Sequence, residues 1–184
     1  SAFSGQRTYN GVAILSREPA TDVVAGIPGF EDEQRRVLAA SLGSLRVIDV
    51  YVPNGQTVGS DKFAYKLRWF DALREYVAAE LTRHPHLVVL GDFNVAPEDR
   101  DVHDPKAWEG SVHVSPPERA ALQALLGTGL ADCFRLFDQP EKSYSWWDYR
   151  MMAFRRNAGL RIDLILASNA LAQKCGACHI DKAP

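Results

Sequence analysis

The run Leu87-Val88-Val89-Leu90 limits the possible folds of this chain more than any other segment. It is apolar throughout and β-branched at its middle, the pattern of a strand covered on both faces. Such a strand belongs at the centre of a sheet with helices packed on it. A chain of 184 residues is long enough to bury that kind of core as one domain, here taken as residues 1–184. Just upstream, Phe63, Leu67, Phe70, Leu73, Val77 and Leu81 recur at steps of three and four. The spacing predicts a helix with one apolar face, with Asp61 as a candidate cap and Pro85 beyond its end. Gly11-Val12-Ala13-Ile14-Leu15, Val37-Leu38-Ala39-Ala40 and Leu45 to Val52 read as further strands, the last ending in the turn Pro53-Asn54-Gly55. Ser115-Pro116-Pro117-Glu118 is a capping box that starts a second helix, which stops at Gly127 or Gly129. Residues 95–115 are polar and irregular and predict a long surface excursion. Leu160 to Ala167 alternates, with Ile162, Leu164 and Leu166 on one face and Arg161, Asp163 and Ile165 on the other. Strands on either side of helices predict an α/β protein with two sheets and helices outside them.

Composition excludes several classes. With 46% hydrophobic and 24% charged residues the chain is not of the disordered type. No apolar run approaches the roughly 20 residues that cross a bilayer, so no membrane partner is expected, and the first residues show no signal peptide. A cytoplasmic setting is expected. The chain begins at Ser1 without a Met, so a native start upstream is expected. A net charge of −2 does not mark a nucleic-acid binder. Any such contact would use local clusters such as Arg35-Arg36, Arg155-Arg156 and Arg161. Three cysteines, an odd number, fit a reducing compartment. Cys175-Gly176-Ala177-Cys178-His179, which follows a strand read at Asn169-Ala170-Leu171-Ala172, nevertheless spells a c-type haem attachment site and gives an electron-transfer alternative.

The chemistry is concentrated after the central strand, in Gly91-Asp92-Phe93-Asn94. Functional groups of α/β proteins gather at such strand ends. If the backbone stays extended, Asp92 and Asn94 share a face while Phe93 turns into the core. The carboxylate could take a proton from water or hold a metal, and the amide could donate to a phosphate oxygen. An Asx turn closing the strand needs the same residues. Asp163 puts a second carboxylate on a half-buried strand, where it needs a partner; a nearby Arg would serve. Tyr51 and Asn54 stand at another strand end, where a turn explains them equally well. Ser143 to Arg150 is dense in aromatics, either core or a platform on which bases stack.

These pieces occur in the order of a known family. Tyr9 to Leu15, Gln34-Arg35-Arg36, Tyr51-Val52-Pro53-Asn54-Gly55, Lys62-Phe63, Gly91-Asp92-Phe93-Asn94, Pro117-Glu118-Arg119, Ser145 to Arg150 and Leu160 to Leu164 together resemble the exodeoxyribonuclease III type of apurinic/apyrimidinic endonuclease, within the endonuclease/exonuclease/phosphatase superfamily. Gly-Asp-Phe-Asn is shared across that superfamily; Trp-Trp-Asp-Tyr-Arg and Gly-Leu-Arg-Ile-Asp are narrower and point to its DNA-repair branch. The resemblance implies a four-layer α/β sandwich, two mixed sheets flanked by helices, that acts as a monomer on double-stranded DNA at abasic sites and 3′ ends with Mg²⁺ or Mn²⁺. It implies Asp92 as the carboxylate that activates water, Asn94 as the amide on the scissile phosphate and Tyr51 as the phenol beside it. Asp163 would orient a catalytic His. Asp92 and Asn94 would be the metal ligands present. Arg36, Asn54 and Lys62 would contact phosphates, and Trp146 and Leu160 would line a pocket for a flipped, base-free sugar, which has already lost its stacking.

The family pattern also has an Asn strand and a metal-binding Glu before the point where this sequence starts, and Ser-Asp-His beyond Ile180 to Pro184, where it stops. The chain is therefore expected to be truncated at both ends, to lack terminal strands and so expose sheet edges, and to bind Mg²⁺ poorly and cleave weakly or not at all. None of His84, His86, His103, His113 and His179 lies in the family's catalytic motif. Two alternatives remain besides haem: a phosphatase of small phosphoesters such as inositol lipids, and a non-catalytic DNA-binding remnant.

Overall fold

The computed structural model describes residues 1–181. It opens with a hairpin, β1 (Ala2–Gly5) and β2 (Gly11–Ile14), followed by β3 (Thr21–Ala25), β4 (Val37–Leu42) and β5 (Leu45–Tyr51). Then come the long helix α1 (Asp61–Arg83) and the strand β6 (Leu87–Asp92). A ₃₁₀ turn at Asp99–Asp101 leads to the short α2 (Pro105–Trp108), α3 (Pro116–Leu126) and β7 (Leu130–Asp132). A second such turn at Cys133–Leu136 precedes β8 (Trp146–Trp147), β9 (Gly159–Leu160), β10 (Asp163–Ser168) and α4 (Asn169–Ala172).

The main sheet has six strands in the order β3-β4-β5-β6-β10-β7. Its β5–β6 pair is parallel and the other pairs are antiparallel. The parallel pair is joined through α1, as a parallel connection requires a crossover. The run 87–90 is thus interior, with β5 on one side and β10 on the other. Leu87 and Val89 point at the helices, where Trp69, Phe70, Leu73 and Val77 of α1 meet Leu122 and Leu125 of α3. Val88 points the other way, against Val12 and Ile14 of the hairpin. Burial on both faces is why this strand carries no polar side chain until Asp92.

The helices start where short-range chemistry dictates. Ser60, one residue before the expected Asp61, caps α1: its Oγ accepts the Phe63 N–H at 3.2 Å, and Asp61 is the first helical residue. The expected box caps α3, with Glu118 Oε2 accepting the Ser115 N–H at 3.2 Å. That carboxylate also serves the site, as described below.

Several expectations need correction. The mixed sheet flanked by helices is as expected, but the remaining strands form two separate antiparallel pairs: β1–β2 against the far face of the main sheet, and β8–β9 in a separate core with Val102 and Val114. Leu15 is exposed, as are Phe3 and Tyr9 on the same hairpin. Residues 95–115 are no loose excursion: Val95, Ala96, Asp101, Val102, Val114 and Ser115 are buried, several in a third core with Leu160 and Ile162. The alternation from 160 to 167 is split into β9 and β10, because Arg161 turns inward to meet Asp101 and Asp132. Asn169 to Ala172, read as a strand, is the helical turn α4; four residues cannot show a period.

Candidate active site

Three functional residues predicted from the sequence stand in one row. Asp92 ends β6; its cross-strand partner is Tyr51 on β5 and Asp163 on β10. Residues paired in register project to the same face, so a phenol and two carboxylates look into one crevice at the carboxyl ends of the parallel strands, where α/β sites form. Gly91 makes the approach of β5 possible: at φ +132 a Cβ there would sit 2.0 Å from the Val50 carbonyl oxygen, so any other residue would push the two strands apart.

Asp92 and Asn94 meet, but not along extended backbone. Asn94 has φ +51, a left-handed conformation that Asn tolerates. Its backbone N–H donates to Asp92 Oδ1 at 2.8 Å and its Nδ2 to Asp92 Oδ2 at 3.1 Å. This is the Asx turn that the sequence allowed, and it holds the amide against the carboxylate. Phe93 is fully buried, as expected. Partial burial, with the charge of Asp163 adding to it, pushes the Asp92 carboxyl up to about 6, against the pull of the Asn94 N–H, Lys66 and Arg36. Asp163 stays open to solvent, yet surrounding protein raises its carboxyl from the usual range. Its partner is not an arginine. Its backbone N–H, like that of Ile162, donates to Ser145 Oγ, while Arg161 is committed elsewhere.

Arg36 lies over the Tyr51 ring, 4.6 Å from its centroid, and donates from Nη1 to the Tyr51 carbonyl at 2.9 Å. Asn54 Nδ2 donates to Asn94 Oδ1 at 3.3 Å. Lys62 is exposed in the first turn of α1. The lysine that reaches the site from beneath is Lys66, which donates to the carbonyls of Asn54 at 3.2 Å and Asn94 at 2.8 Å and pairs with Glu118. Trp146 and Leu160 are cross-strand partners in β8–β9. Leu160 has no exposed surface. The aromatic segment divides: Tyr144 is core, Tyr149 is exposed, and the tryptophans lie between.

Sequence reasoning passed over two residues. Lys66 falls on the apolar stripe of α1 between Phe63 and Phe70, and a charge at such a position is a readable signal. His113, set aside as lying in the wrong motif, is buried with its ring 6.0 Å from Trp108 and 6.4 Å from Trp146. Its Nδ1 lies 2.7 Å from the Asn94 carbonyl oxygen, and burial holds its pKa below the usual range. Only its place before the capping box pointed to it. His179 lines a hollow together with Asp163, Ser145 and Cys178.

The donor set fits a hard divalent cation in part. Each Asp92 oxygen takes one Asn94 N–H and keeps a free lone pair, and Asp163 faces the same crevice; carboxylate oxygens suit Mg²⁺ or Mn²⁺. Asn94 does not fit as expected: it turns its NH₂, not its oxygen, toward Asp92. Among the described residues no group of three or more His, Cys, Asp or Glu side chains could hold a metal.

Carboxylates, an amide and a phenol gathered at the strand ends of an α/β sheet are groups that suit the hydrolysis of phosphoesters. The chain belongs to the Endonuclease/Exonuclease/phosphatase family, whose model matches residues 1–184; divalent-metal dependence is general in that family. Exodeoxyribonuclease III of Haemophilus influenzae is 36% identical over 93% of this chain and 69% of its own. Among solved structures, the 3′ phosphatase NExo from Neisseria bound to a product DNA hairpin is 50% identical, with a TM-score of 0.91, over 94% of this chain and 67% of its own. An AP endonuclease from Archaeoglobus fulgidus is 37% identical with a TM-score of 0.92, over 98% and 70%. The chain thus spans about two thirds of the relatives it matches. The family match runs through Cys175 to His179, and the haem reading of that pentapeptide has no support.

Proposed function

We propose that this chain carries the phosphoester-cleaving crevice of a DNA-repair nuclease, acting first on 3′ ends of duplex DNA. The observation that carries the reading is the in-register row Tyr51–Asp92–Asp163 with the Asp92 carboxyl pushed up to about 6. A carboxylate of that basicity is ionised at neutral pH, yet accepts a proton from attacking water more readily than an ordinary one. The Asn94 amide lies against it and is placed to donate to a phosphate oxygen once the substrate displaces its present partners. Tyr51, with Arg36 over its ring, supplies a hydroxyl and a nearby positive charge where the phosphate's negative charge must be met. Asn54, bonded to Asn94, and Lys62, exposed in the first turn of α1, would suit neighbouring phosphates. When bound, a divalent cation at Asp92 and Asp163 would supply charge neutralisation; Mg²⁺ and Mn²⁺ both suit that donor set.

The preference for 3′ ends rests on the half-identical Neisseria 3′ phosphatase. Incision at abasic sites is the second reading, favoured by the Archaeoglobus AP endonuclease. For that reading a base-free sugar would have to lie against Trp146, whose partner Leu160 is fully covered and whose ring has His113 at 6.4 Å. Action as a monomer is proposed with both.

The test is single-turnover cleavage, with the chain in excess over duplexes that carry either a 3′-phosphate or an abasic site. This format reads the slow rate expected from the sequence. A small phosphoester, inositol phosphate, is run in parallel. Mg²⁺- or Mn²⁺-dependent release from the 3′-phosphate duplex, lost in Asp92→Asn, is the expected result. Equal turnover by Asp92→Asn, or turnover of inositol phosphate alone, overturns the reading.

A further inference from the structure

Beside the row lies a chain of hydrogen bonds in which donors and acceptors have only one arrangement. His113 is pinned first. Its backbone N–H donates to Glu118 Oε1 at 3.0 Å, and its carbonyl accepts the Ala96 N–H at 2.8 Å. It holds φ +78 there, a left-handed conformation that the surrounding bonds must impose. The imidazole then spans two partners of opposite kind. Nδ1 is 2.7 Å from the Asn94 carbonyl oxygen, which can only accept, so Nδ1 carries the hydrogen. Nε2 is 3.3 Å from Asn54 Nδ2, which can only donate, so Nε2 is bare.

That tautomer orders everything beyond it. One Asn54 Nδ2 hydrogen goes to His113 Nε2 and the other to Asn94 Oδ1, while Asn54 Oδ1 accepts the Gln56 N–H at 3.0 Å. With Asn94 Oδ1 so occupied, its Nδ2 faces the Val52 carbonyl at 2.9 Å and Asp92 Oδ2 at 3.1 Å. Were the hydrogen on Nε2 instead, it would oppose the Asn54 NH₂. The Asn54 amide would then reverse and set its oxygen against Asn94 Oδ1.

We infer that His113 is a positioning residue for phosphate binding: its Nδ1–H tautomer, anchored on the Asn94 carbonyl, fixes the Asn54 and Asn94 amides in one orientation, with the Asn94 N–H side toward Asp92. The bare Nε2 holds one Asn54 hydrogen and Asn94 Oδ1 holds the other, so the two amides keep this orientation as substrate arrives. His113 itself touches no reacting atom. The inference rests on the proposed phosphate chemistry for its consequence, but not for its geometry.

Two measurements on the full chain test it. In a long-range ¹H–¹⁵N correlation spectrum, His113 should show a protonated-type Nδ1 and an unprotonated-type Nε2 at neutral pH. A hydrogen on Nε2, alone or with one on Nδ1, overturns the inference whatever the enzyme cleaves. The second is the Kd for a 3′-phosphorylated DNA hairpin without added metal. His113→Ala should weaken binding roughly tenfold, the loss of one well-placed hydrogen bond to a charged group. His113→Gln, whose amide oxygen reaches the Nε2 position, should restore binding to within about threefold, whereas His113→Asn, which keeps only the contact to the Asn94 carbonyl, should not. Equal Kd for His113→Ala and the parent chain, or equal loss in all three variants, overturns the positioning role. Failure of the nuclease reading would appear separately, as absence of cleavage with the tautomer intact.

Discussion

Two aspartates on either side of Ile162, one fully and one partly buried, show what separates a structural carboxylate from a reactive one. Asp101 is fully buried, and guanidinium groups cover its charge: Arg161 Nε lies 2.6 Å from Oδ1, Arg135 pairs with the same oxygen, and the Glu98 N–H donates to Oδ2 at 3.1 Å. Asp92 is only partly buried, and among the described residues no cation is in contact with it. It accepts two amide N–H bonds from Asn94 and shares its face with Asp163. One site is neutralised and closed, the other is left with excess negative charge and open lone pairs. Burial alone does not mark function; burial without a compensating cation does.

Substitutions should divide along that line. Asp92→Ala should lower cleavage on the order of a thousandfold, the range of a lost general base, with the Kd for duplex DNA changed little; unchanged turnover would erase the contrast. Asp101→Ala should do the opposite. It strands the buried Arg161 and should cost about 3–5 kcal/mol in urea unfolding. A cost as small as that of a surface ion pair would mean that the Arg161 cluster is not a closed structural unit.

The pH response sharpens the comparison. The folded-state pKa of Asp92, about 6, lies above the unfolded value. Its favourable contribution is therefore complete below the unfolded pKa and lost as pH rises through 6. Without divalent ions, the stability difference between Asp92→Asn and the parent should move toward the variant by roughly 1–2 kcal/mol between pH 4 and pH 8. Unfolding curves at both pH values read this directly, and movement toward the parent would contradict it. The smallest effect lies outside both clusters: Ser60→Ala removes the α1 cap and should cost about 1 kcal/mol, with no pH dependence between 4 and 8.

The sequence made much of this legible wherever a local pattern decides the outcome. Leu87 to Leu90 announced an interior strand because burial on both faces leaves no polar position, and Gly91 to Asn94 announced the site because a strand end needs those residue types. Tyr51 and Asp163 were legible only as members of a family order; their shared row with Asp92 comes from strand register, which no local pattern carries. What stayed hidden depends on long-range pairing. Arg161 read as one polar position in an alternating strand, yet it turns inward because Asp101, sixty residues away in the chain, waits for it. His113 and Lys66 had roles only after folding brought β5, β6 and α3 together around the Asn94 carbonyl. Asn169 to Ala172 failed for the opposite reason, being too short for any period to show.

The central claim is that Asp92 is a carboxylate held without a cation, ready for a proton or a metal. Its most direct test is a ¹³C titration of the Asp92 carboxyl, with and without Mg²⁺. A midpoint about 6, displaced downward by Mg²⁺, is the expected result. A midpoint at the ordinary carboxylate value that Mg²⁺ does not move would contradict it.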